Sequence, residues 1–171
     1  MQKKTQRPTK QVAVIVPQNT KIDVDVDMTP TTLTMTYGEV ARAFGVLGFM
    51  GTVLKPNSFG LNTKLRACRR ALQDHAEDLD DMTQKLMLQL SVQKDGETVR
   101  DEKGNFTLIQ PQFDVERRSY LRQTVEVTIP VWHAEELEWM VDVKAEGVDD
   151  GFVFRVLEDL GPLYVDGLES E

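Results

Sequence analysis

"LNTKLRACRRALQDHAEDLDDMTQKLMLQL", residues 61–90, decides how this chain folds. It holds neither proline nor glycine, and Leu65, Cys68, Leu72, His75, Leu79, Met82 and Leu86 follow one another in steps of three and four. That spacing predicts an amphipathic helix, N-capped by Asn62 and about 40 Å long at 1.5 Å per residue. Arg66, Arg69 and Arg70 come early in it, and Asp74, Glu77, Asp78, Asp80 and Asp81 lie in its middle. Cations at the start and acids in the middle do not serve the helix dipole. The helix therefore depends on its apolar stripe, which must be covered by a helix over 36–50, by later helices or by another copy of the chain. Leu72 and Leu79 on the stripe, with Asp74, Glu77, Asp78 and Asp81 beside it, are candidate interaction residues.

Upstream, Lys3, Lys4, Arg7 and Lys10 occur without an acid over residues 1–11, which reads as a flexible basic arm and a further candidate contact. "VAVIV" (12–16) and "KIDVDVDM" (21–28) read as two strands of an N-terminal hairpin around Pro17. In the second, Ile22, Val24, Val26 and Met28 alternate with Asp23, Asp25 and Asp27. "TPTTLTMT" breaks that alternation. Thr36 and Glu39 then form a capping box for a helix through "YGEVARAFGVLGF", and Gly45, Gly48 and Gly51 are expected to give a smooth edge for close packing. "GTVLKPNSFG" reads as a loop.

Downstream, Asp95-Gly96 and Gly104-Asn105 predict a projecting β-hairpin over 92–110. Asp114 is expected to cap a short helix over "VERRSYLRQTV". A strand "VEVTIPVW" should end at Pro130, and "HAEELEWMVDV" should be helix followed by strand. "GFVFRVLEDLGPLYVDG" should close the fold with a strand or short helix and a turn at Gly161-Pro162. The fold class expected is α+β, with a single domain over 12–171.

Composition limits function. Apolar residues make up 40% of the chain, which suits a globular fold, and the net charge of −8 argues against a general binder of nucleic acid or anionic membranes. No apolar run reaches the roughly 18 residues of a membrane span. One cysteine, Cys68, excludes an intramolecular disulfide, so a reducing cytoplasm is expected. Three aspartates at alternate positions of a strand splay about 6.5 Å apart and do not converge on a magnesium ion, so they read as a solvent face. His133-x-Glu135 lacks the P-C-x-x-C half of a zinc deaminase signature, and two histidines with one cysteine are few ligands for zinc. No phosphate loop, dinucleotide fingerprint or nucleophile elbow occurs. No catalytic, cofactor or metal residue is assigned, and a non-enzymatic role is expected.

What remains is a charge layout. From Val131 onward twelve acids, Glu135 to Glu171, face only Lys144 and Arg155, while the basic arm lies at the other end. The order of the long helix, the "KDGETVRDEKGN" hairpin and "FDVERRSYLRQTVEVTI" resembles small uncharacterised proteins of tailed bacteriophages over residues 61–130. That resemblance implies an accessory, assembly or host-interaction role and supplies no site residue. The expected function is a phage-encoded interaction or assembly protein acting through self-association or a protein partner. An acidic inhibitor imitating nucleic acid, with Asp74 to Asp81 and the C-terminal acids as its charges, is the first alternative. A metal-dependent enzyme using Asp23, Asp25 or Asp27 is the second.

Overall fold

A helix of 31 residues, α2 (Phe59–Gln89), is the axis of the fold in a computed structural model that describes residues 25–142 and 151–165. Its cap is Ser58, not Asn62: the Ser58 hydroxyl accepts from the Leu61 N–H, so the helix starts four residues earlier than expected. Asn62 instead lies in the first turn, its amide donating to the Pro56 and Ser58 carbonyls. The apolar stripe is buried at Leu61, Leu65, Cys68, Leu72 and Leu86, but His75, Leu79 and Met82 are only half-buried. Leu79 is thus not a core residue. The elements that cover the stripe stop short of its middle.

The chief cover is α1 (Tyr37–Phe49), which starts at the expected capping box: Thr36 Oγ1 accepts from the Glu39 N–H, and Glu39 accepts from the Thr36 N–H at 2.7 Å. Val40, Ala43, Val46 and Leu47 face the core at helical spacing. The helix does not end at residue 49. It widens into a π-helical turn over Met50–Leu54, where Thr52 donates to the Gly48 carbonyl, and stops at Lys55, whose φ of 49° no helix continues. The glycine edge is not used for packing, because added Cβ atoms at Gly45 and Gly51 would meet nothing within 4 Å, and one at Gly48 would only touch the Arg69 guanidinium.

A two-stranded antiparallel sheet lies against these helices. Its strands are β1 (Pro30–Thr36), which is the "TPTTLTMT" stretch expected to be irregular, and β4 (Thr124–Pro130), in continuous register from Pro30↔Pro130 to Thr36↔Thr124. Leu33 and Met35 point inward opposite Val127 and Val125, while threonines fill the outer positions; β-branched residues suit that pleated, half-exposed ribbon. The expected strand at 21–28 is absent from its described part: residues 25–29 carry no strand pairing. The predicted hairpin partner at 12–16, Asp23 and the arm cations Lys3, Lys4, Arg7 and Lys10 lie outside the described residues.

The hairpin after α2 has both expected turns. Between β2 (Gln93–Lys94) and β3 (Glu97–Thr98), Asp95 and Gly96 take φ of 56° and 84°, the left-handed pair that an I′ turn requires. At the second turn the Asp101 carboxylate accepts from the N–H groups of Lys103 and Asn105, and Arg100 covers the Phe106 ring at 4.2 Å. The next helix, α3 (Gln110–Leu121), begins four residues before Asp114, because Pro111 in its first turn presets helical φ and the Ile109 N–H bonds the Leu90 carbonyl. Past β4 come β5 (Trp132–His133), the short α4 (Ala134–Leu137) and a 3₁₀ stretch to Asp142 in place of the expected strand. Then α5 (Phe152–Leu160) turns at Gly161-Pro162 into β6 (Tyr164–Val165), which pairs parallel with β5.

The fold is α+β, with one hydrophobic cluster running from Met35 through the α1–α2 contact to Trp132, Trp139, Met140 and Leu160. No described helix is long and apolar enough to cross a membrane.

Candidate functional site

Two arrangements of polar side chains stand out. The first is buried. Lys64 lies on the core side of α2, between Leu61 and Cys68, and its side chain is fully covered. Its ammonium is 2.6 Å from both carboxylate oxygens of Glu136 on α4. The same carboxylate accepts the Asp27 N–H at 3.0 Å and the His133 N–H at 2.9 Å. The Trp132 ring lies 5.1 Å from the ammonium. Every charge is therefore met, and neither group reaches solvent. This cluster ties α2 to the segment before β1 and to α4, and no reactant can approach it.

Close to it, Cys68 donates to the Pro130 carbonyl at 3.4 Å. Burial pushes its thiol up to about 12, against a smaller pull from the Lys64 ammonium, so it stays protonated and inert at neutral pH. Asp27 and Asp25 are exposed. Hydrogen bonds from Thr29 hold the Asp27 carboxyl below the usual range, and its Oδ2 lies 3.5 Å from His133 Nε2. The enzyme alternative placed these aspartates on one strand face, and Asp25 and Asp27 do not share such a face. Among the described residues no three His, Cys, Asp or Glu side chains group as a metal ion would need.

The second arrangement is open. A groove of about 720 Å³ runs along α2, with Ala41 and Phe44 of α1 and Arg117 of α3 at its sides. Its α2 face carries Arg66, Arg69 and Arg70, then Gln73, then Glu77 and Asp80. All six are exposed. Arg69 stacks on Phe44 at 4.9 Å, and Gln73 donates to Glu77 at 2.7 Å. Among the described residues none of the four arginines forms an ion pair. Half-buried Leu79 and Ala76 give the floor an apolar strip.

The structure brings two of the candidate interaction residues into this groove, Glu77 and Leu79. Leu72 belongs to the core instead. Asp74, Asp78 and Asp81 are exposed on α2 outside the groove lining. The groove's cations were legible only in part: Arg66, Arg69 and Arg70 fall at helical spacing, whereas Phe44 and Arg117 arrive from other helices. Lys64 carried a readable signal, since it falls at helical spacing with Leu61 and Cys68 on the buried stripe. Neither a family model, nor a curated protein, nor a solved structure matches this chain.

Proposed function

We propose that this is a non-enzymatic interaction protein whose working surface is the α2 groove, which binds a charged segment of a protein partner. The observation that carries the reading is four guanidinium groups beside an apolar floor that form no ion pair among the described residues, in a chain whose net charge is −8. Unpaired arginines gathered on a half-apolar surface are the composition of a protein contact rather than of a solubilising face. Glu77 and Asp80 in the same groove disfavour a polyanion such as nucleic acid, whose phosphates they would repel. The closed Lys64–Glu136 cluster gives no support to catalysis. A role in phage assembly fits this reading, given the likeness of the helix–hairpin–helix order to tailed-phage proteins.

A second reading has its own support. Asp74, Asp78 and Asp81 stand exposed at successive turns of α2, about 4.5–6 Å apart along the axis, as an imitation of phosphates would require. An Arg66→Ser, Arg69→Ser, Arg70→Ser variant separates the two. The groove reading predicts that this variant keeps its fold and loses salt-sensitive protein association, both self-association and heterologous capture. An acidic mimic would keep its partner. Unchanged association at low and high salt contradicts the groove reading.

A further inference from the structure

The charges along the groove have a symmetry of their own. On an ideal helix at 100° per residue, Arg66 and Asp80 lie at equal angles to either side of Gln73, and so do Arg69 and Glu77. The pairs are also equidistant from Gln73 along the chain, by seven and by four residues. Arg66 and Arg69 thus each have an acid as image under a twofold rotation through Gln73, whereas the image of Arg70 is Ala76. Within one molecule these groups cannot meet, since the helix holds Arg66 about 21 Å from Asp80 and Arg69 about 12 Å from Glu77. All are exposed, and among the described residues none of the four forms an ion pair. A segment that satisfies this face must present acids where the face has arginines and the reverse, along an antiparallel run. α2 of another copy does so at positions 66, 69, 77 and 80.

Resting on the groove reading above, we infer that the groove's occupant is a second copy of this chain, with the two α2 helices antiparallel across a twofold axis at Gln73, Arg66 opposite Asp80 and Arg69 opposite Glu77. Such an isologous contact closes on itself and gives a dimer rather than a filament. Half-buried Ala76, 60° from Gln73 on the same ideal helix, borders that contact. Exposed ion pairs dominate it, so the dimer weakens as salt rises.

The test is a charge exchange on the full chain, followed by sedimentation velocity at low and high salt. One variant carries Arg66→Glu and Arg69→Glu, the other Glu77→Arg and Asp80→Arg. All four positions are exposed, so both variants should stay folded and melt near the parent at high salt, where the dimer is dissociated. The parent should be a salt-sensitive dimer. Each variant alone should be a monomer, because like charges then face each other at all four contacts. Mixed, they should form a one-to-one heterodimer, since every contact is again acid to base. A chain carrying all four changes should recover the homodimer. The inference is overturned if the parent is monomeric at low salt, if either variant dimerises alone, or if the mixture stays monomeric. Loss of heterologous capture by the Arg66→Glu, Arg69→Glu variant in a monomeric parent background would leave the groove reading standing with a foreign occupant. Loss of neither property would remove both.

Discussion

At residue scale, the fold hangs most visibly on Lys64. Its stem adds apolar contact while its ammonium satisfies a carboxylate that also accepts two backbone N–H groups. Lys64→Met should therefore cost about 3–5 kcal/mol in urea unfolding, because it leaves a buried carboxylate without its counter-ion. Adding Glu136→Gln should recover part of that loss by removing the stranded charge, while its amide oxygen still accepts one N–H. Equal stability of Lys64→Met and parent would show that the pair is wet. Cys68 gives a pH dependence. Its folded value near 12 lies above the unfolded value of 9.0, so the folded state binds the proton more tightly between the two. Stability should fall as pH rises from about 9 toward 12, and Cys68→Ala should flatten that slope. Identical slopes would show the thiol to be solvated. Such buried partnerships were not readable along the chain: Lys64 and Glu136 are 72 positions apart, and nothing local marks one as the other's counter-ion.

At the scale of elements, periodicity read well and boundaries read poorly. The long helix, the capping box at Thr36 and the Asp95-Gly96 turn follow from local chemistry; the box and the turn lie where expected, and the helix begins four residues earlier. β1 was missed because "TPTTLTMT" has only two inward apolar residues, and its strand character comes from pairing with β4, almost a hundred residues away. "KIDVDVDM" has the sharper alternation, yet Asp27 uses its N–H on Glu136 and its carboxylate on Thr29, bonds that a ladder would forbid. The meeting of α2 with that segment is tight. A Cβ at Gly60 would lie 2.9 Å from Val26 Cγ2. Gly60→Ala should therefore forgo the roughly 1 kcal/mol that alanine usually adds in a helix, and the same change beside Val26→Ala should deliver it. A full gain in the Val26 background would mean that the contact is loose. Leu72 and Leu79 also part company here. Leu72→Ala should cost about 2–5 kcal/mol, whereas Leu79→Ala should cost distinctly less, since only Leu72 is fully enclosed. Equal losses in unfolding would show that the groove side of α2 is as well packed as the core.

At the scale of the whole molecule, the overall polarity of charge in the sequence proved less informative than its arrangement on one helix. Composition placed an acidic surplus toward the C-terminus, and much of that surplus lies outside the described residues. The arginines that gather in the groove come from α2 and α3, with Phe44 of α1 between them, and the counterpoise of Arg66 and Arg69 against Asp80 and Glu77 follows from α2 alone. That counterpoise was present in "LRACRRALQDHAEDLDD" from the start, but exposure of the face had to be known before it could be distinguished from an ordinary solvated stripe. The central claim is that two α2 helices meet there antiparallel. Nitroxide labels at Gln73→Cys, Thr63→Cys and Gln84→Cys, each in a Cys68→Ala background, test it through electron–electron distances at low salt. All three positions are exposed on α2 and none belongs to a proposed ion pair. The antiparallel dimer predicts a short distance for the label at 73, and labels at 63 and 84 displaced along the axis by about 30 Å between protomers. Short distances at all three positions, or no dipolar coupling at 73, would contradict it.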